Sequence, residues 1–276
     1  MVYDPDRGRS VLFGGQGANE LVAETWEWDG TTWLRMSPAH SPSPRTERTM
    51  AYDAGRKQTV LFGGGIPGNT LRDTWLWDGR DWTEVSPAVS PAARNGAQMA
   101  YDAAIDRVVL FGGAVTRGVL NDTWTWDGAS WAQLAPPASP PGRFGQMMAY
   151  DSDRRQLVLF GGRLPDNTRL RDTWEFDGSG WREVKPLTSA PAGFDGVMTY
   201  IAASRRMMLA NEFGSTVVDE FAWDGTNWSE LGTVSTPTQR IGPAMVYDSR
   251  RGRIVLFGGS SGTPVGDTWE ANACGG

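Results

Sequence analysis

The sequence predicts an all-β fold, a six-bladed β-propeller with four antiparallel strands per blade, on three observations. The six tyrosines, Tyr3, Tyr52, Tyr101, Tyr150, Tyr200 and Tyr247, recur at intervals of 49, 49, 49, 50 and 47 residues, which marks a repeat array. Each unit breaks into short β-rich runs separated by glycine, proline and polar turn residues, and no stretch carries a helical period. A period near 50 with four such runs is that of a propeller blade.

The third unit illustrates the order of elements. A first run surrounds Tyr101, a polar turn follows, and a second run covers Val108 to Phe111. After a variable loop, a third run from Thr123 to Trp126 leads into Asp127-Gly128, a strong hairpin signal. A fourth run begins near Trp131, and a proline-rich loop leads to the next unit. A methionine stands two residues before every tyrosine, at Met1, Met50, Met99, Met148, Met198 and Met245. Units therefore start near residues 1, 49, 97, 146, 196 and 243, and residues 1–276 are expected to form one propeller domain.

Two further signatures carry a family resemblance. Glycine pairs close the second run at Gly14-Gly15, Gly63-Gly64, Gly112-Gly113, Gly161-Gly162 and Gly258-Gly259, and a tryptophan opens the fourth at Trp33, Trp82, Trp131, Trp181 and Trp228. In these features the chain resembles the Kelch-repeat family over essentially its whole length. The resemblance implies six sheets around a central channel, with the first strand of each blade innermost. After Trp269 the sequence reads ANACGG, with no fourth run. The expectation is a sixth blade of three strands or a chain that is part of a longer protein, with a seventh blade upstream left open.

Composition narrows the function classes. A net charge of −6 argues against a nucleic-acid surface. No window approaches the roughly 18 consecutive apolar residues of a membrane helix, and no signal-peptide order opens the chain. One cysteine, Cys274, and one histidine, His40, exclude a disulfide framework, most zinc sites and imidazole triads. The copper site of galactose-oxidase-type Kelch enzymes, which the resemblance brings to mind, needs two histidines and a crosslinkable cysteine, so it is excluded. No cofactor and no metal are expected, and the chain is expected to be a monomer. His40 reads as an exposed loop residue. Localisation stays open, with family habit leaning towards a secreted or periplasmic protein.

Residues at repeated positions are scaffold until something sets them apart. The 14 tryptophans all fall at three repeated positions, which favours packing between blades over a carbohydrate platform. Phe144, Phe194 and Phe213 lie outside the repeat, in loops that strand direction places on one face around blades 4 and 5. The same face carries Arg45, Arg94, Arg143 and Arg240, seven residues before a tyrosine, with Gly193 in the blade 5 copy. Two readings stand for these arginines: a ring that holds a carboxylate or sulfate, or a repeat element that pins loop carbonyls.

Blade 5 breaks the pattern. Its second run reads MMLANEFGST, with Ala210 for phenylalanine and Asn211-Glu212 for the glycine pair. Met208 is bulky enough to refill the space at Ala210. Glu212 is expected at the channel rim beside Asn211, with Asp195 in the adjacent loop, and two neighbouring carboxylates raise at least one pKa.

Two functions follow. The first is a non-catalytic binding module that recognises a protein or a glycan through Arg45, Arg94, Arg143, Arg240, Phe144, Phe194, Asp195, Asn211, Glu212 and Phe213, since variable loops on a fixed scaffold are where recognition concentrates. The second, from a resemblance to Kelch-type sialic-acid mutarotases, is an enzyme acting on a sugar acid. There Glu212 serves as acid–base with Asp195 as the second carboxylate, and Arg143 and Arg240 hold the substrate carboxylate.

Overall fold

The computed structural model describes residues 1–193, 195–210, 220–231, 240, 242–260 and 262–273. Among the described residues six antiparallel blade sheets follow one another along the chain, each in simple up-and-down order, and a two-stranded ribbon, Ala114–Val115 with Gly118–Val119, forms in the loop of blade 3. Five of the blades have four strands. In blade 3 these are Gln98–Asp102, Arg107–Phe111, Thr123–Trp126 and Trp131–Leu134. The sixth has three, Ala244–Asp248, Arg253–Phe257 and Thr268–Asn272. No helix occurs among the described residues.

Turn chemistry sets the hairpins. The first turn of each blade passes through one left-handed residue: Gly8, Lys57, Asp106, Arg155, Arg205 or Gly252. The turn into the fourth strand uses its aspartate as an internal cap: Asp127 Oδ1 accepts from the backbone N–H groups of Ala129 and Ser130 at 2.9 and 2.7 Å. Blade 6 has Asn272-Ala273 where the others have Asp-Gly.

Between blades, one contact set repeats. The fourth-strand tryptophan reaches back to the preceding blade, packs against its second-strand phenylalanine and donates its indole N–H to a third-strand threonine. Trp131 meets Phe62 at 5.3 Å between ring centroids and donates to Thr74 Oγ1 at 3.0 Å. Trp82 does the same with Phe13 and Thr25, Trp181 with Phe111 and Thr123, and Trp228 with Phe160 and Thr173. Such aromatic pairs contribute about 0.5–1.5 kcal/mol beyond the area they bury. The tryptophans thus belong to the scaffold, as their periodicity suggested.

The seam between blades 5 and 6 lacks this set. The phenylalanine position is Ala210 and the threonine position is Glu220, whose Cα pairs with that of Ala210. In blade 6, Ala271 stands where the other blades have a second-position aromatic. Met208, Ile201, Met245, Ile254 and Ala273 form a buried aliphatic cluster there instead. Burial also raises the pKa of the Glu220 carboxyl. Among the described residues, position 210 is thus alanine at the one seam where no fourth-strand tryptophan is seen.

Candidate ligand site at the channel mouth

The first strands surround a central channel of about 1040 Å³, lined by the methionine and tyrosine rings of the repeat. Its charged lining residues are Glu47, Arg48 and Asp195.

The repeated arginines lie behind this lining. Arg94 is 1 % exposed. It donates to both oxygens of Asp122 at 2.6 and 2.8 Å and to Gly112 O at 2.9 Å. Its own carbonyl accepts from Gly64 N of the preceding blade at 3.0 Å, so the residue clips two blades together. Arg45 pairs in the same way with Asp73, Arg143 with Asp172 and Arg240 with Asp267. The aspartate also accepts an indole N–H, as Asp122 does from Trp124 at 2.7 Å. Close approach explains the glycine pair: a Cβ on Gly63 would lie 2.8 Å from Arg94 O. This geometry is that of an arginine pinning loop carbonyls, and it directs these guanidinium groups into the scaffold.

Two residues beyond each arginine, and beyond Gly193 in the blade 5 copy, the loop adopts a left-handed conformation. Three loops use glycine there, Gly96, Gly145 and Gly242, with φ of 61°, 63° and 61°. The other two use carboxylates, Glu47 and Asp195, with φ of 50° and 52°. The left-handed region costs roughly 1–2 kcal/mol for a residue with a Cβ. Backbone hydrogen bonds link these positions around the mouth: Gly96 N donates to Glu47 O at 3.0 Å, Gly145 N to Gly96 O at 2.9 Å, and Asp195 N to Gly145 O at 2.7 Å. Glycine at 145 is what admits the Asp195 carboxylate, because a Cβ there would meet Asp195 Oδ1 at 2.5 Å.

Both side chains are exposed to the channel. Burial of its surroundings pushes the Glu47 carboxyl up; the Asp195 charge adds to this, while Arg163 and a hydrogen bond from Asn95 oppose it. The Asp195 carboxyl is also raised by its surroundings, with Arg163 opposing. Arg163 is held beside them by Phe144, with its guanidinium carbon 4.6 Å from the ring centroid and reciprocal backbone bonds of 2.9 and 3.2 Å. Such a stack contributes about 0.5–1 kcal/mol at an exposed site.

Of the sequence-derived candidates, Asp195 and Phe144 thus come together at one mouth. Phe194, Asn211, Glu212 and Phe213 lie outside the described residues. Glu47, Arg163 and Asn95 were missed by sequence reasoning. Glu47 had a usable signal, since it aligns with Gly96, Gly145 and Gly242 once the arginine register is set. His40 is an exposed loop residue whose Nδ1 lies 2.8 Å from Asp81. No group of three or more potential metal-binding side chains occurs among the described residues.

The architecture defines the chain as a six-bladed β-propeller. No family model matches it, and no curated protein is similar to it.

Proposed function

We propose that this chain is a Kelch-type propeller that works as a non-catalytic binding module, taking the end of a glycan at the channel mouth between Glu47 and Asp195. The observation that carries this reading is the pair of carboxylates at left-handed positions that glycine fills in sister loops. Non-glycine left-handed residues also occur in the first turns, at Lys57, Asp106, Arg155 and Arg205. What supports a site at this rim is that both strained residues are carboxylates, that both line the channel and that the Asp195 charge acts on Glu47. Carboxylates with raised pKa are more basic acceptors for sugar hydroxyls, and the Asn95 amide adds both a donor and an acceptor. Arg163 offsets the summed negative charge, which suits a neutral polyol.

The test is calorimetric titration of a panel of neutral mono- and oligosaccharides into the wild type, Glu47→Gly and Asp195→Gly. The expected result is binding by the wild type that weakens at least about tenfold in either variant, the loss of one charge-assisted contact, while both variants stay folded. Equal binding by all three proteins, or none by the wild type, would count against the reading. The acid–base alternative centred on Glu212 has no described geometry, and its substrate-holding arginines, Arg143 and Arg240, are paired with Asp172 and Asp267.

A further inference from the structure

We infer that Arg48 is an oxyanion anchor in the central channel, one residue along the chain from Glu47 in the same lining. It takes the carboxylate, sulfate or phosphate group of a ligand. Arg48 lines the channel and is only partly buried. It has no hydrogen-bond or ion-pair partner among the described residues. The other interior arginines do: Arg45, Arg94 and Arg143 each hold an aspartate bidentately. Burial, and after it the like charge of Arg45, brings the Arg48 pKa down to about 10. It remains a cation at neutral pH.

The scaffold does not ask for it. The same position, two residues before the methionine, holds Ala97, Gln146, Gly196 and Pro243 in the other blades. Gln146 shows what a structural residue does there: it is fully buried and donates Nε2 to Phe111 O at 2.8 Å. The backbone here is that of the repeat, since a Cβ on Gly64 would come 3.0 Å from Arg48 Cβ just as one on Gly113 or Gly162 would come 2.9 or 3.0 Å from Ala97 or Gln146 Cβ, so only the side chain beyond Cβ sets Arg48 apart. A guanidinium in a channel that forms no direct ion pair loses hydration and gains no pairing. A planar oxyanion supplies the missing partner through two parallel N–H bonds.

The test uses the full chain, with the wild type compared against Arg48→Gln, Arg48→Lys and Glu47→Gly. Binding of sodium sulfate, sodium phosphate, glucuronate and its uncharged counterpart glucose is measured by calorimetry at constant ionic strength, with chloride as the balancing ion. Wild type is expected to bind at least one of the three oxyanions, and Arg48→Gln to bind it about thirtyfold or more weakly, the loss of a charge-assisted pair. Arg48→Lys should recover part of this, and Glu47→Gly, which removes a neighbouring negative charge, should bind the oxyanion at least as tightly as wild type, so that failure of the glycan reading leaves this result standing. Preference for glucuronate over sulfate and phosphate would place the anion on an organic ligand, and the reverse on an inorganic one; either supports the anchor. The unliganded Arg48→Gln protein should melt higher than wild type, because an unpaired charge has been removed. A lower melting temperature together with unchanged oxyanion binding, or no oxyanion binding by the wild type, would overturn the inference.

Discussion

The indole N–H of Trp33 donates to Thr268 Oγ1 at 2.7 Å, joining residues 235 positions apart. Trp33 also packs on Phe257 at 4.8 Å, so blade 1 meets blade 6 through the contacts that join blades 1 and 2. Closure of the ring therefore uses no special device. Replacing Thr268 by valine removes the acceptor and leaves the indole donor unsatisfied, at a cost of about 1–3 kcal/mol. Thr74→Val, at the seam of blades 2 and 3, is expected to cost a similar amount, as read by urea denaturation.

The arginine clips are expected to be among the most costly positions in the fold. Arg94→Ala leaves the Asp122 carboxylate and Gly112 O without their partner and should cost about 3–5 kcal/mol. Equilibrium unfolding checks this, and a change under 1 kcal/mol would show that the clip is dispensable.

The same pairs set the acid response. Arg240 holds the Asp267 carboxyl down at about 2, and Asp73, Asp122 and Asp172 are lowered too by their arginines. A lowered carboxyl contributes stability above its unfolded pKa, near 3.9, and loses it as pH falls through the folded value. Stability should drop from about pH 4 towards pH 2, and Asp267→Asn should show a shallower drop, measured by thermal melts across that range.

The mouth carboxylates carry the opposite sign. Their folded pKa values are raised, so their contribution is fully present below the unfolded pKa and is lost as pH rises through the folded one. Glu47→Gly and Asp195→Gly should each stabilise the protein by about 1 kcal/mol through relief of left-handed strain. That gain should be larger at pH 7 than at pH 4. A gain that does not change with pH would assign it to the backbone alone.

Ala210 tests the seam of blades 5 and 6. Phe160→Ala, in the preceding blade, should cost about 3–5 kcal/mol because Trp228 loses its packing partner. Ala210→Phe should bring no comparable gain, since no fourth-strand tryptophan lies across from it among the described residues. A gain of that size would mean that the site is an unfilled cavity.

Much of the fold was legible in the sequence because a repeat states its scaffold several times. The tyrosine spacing, the Asp-Gly turns and the tryptophans at three positions determined blade number, strand order and the packing role of the indoles. These are local or periodic properties, which chain order carries directly. What the arginines bind, why Ala210 coincides with Ala271 and Glu220, and that Glu47 and Asp195 share one electrostatic environment were decided only by the tertiary structure. Each depends on which side chains from different blades meet across a seam or around the channel. Glu47 and Asp195 lie 148 positions apart in chain order. The bend of six blades into a ring is what brings both to one rim, and curvature summed over the whole domain is not written in any single repeat.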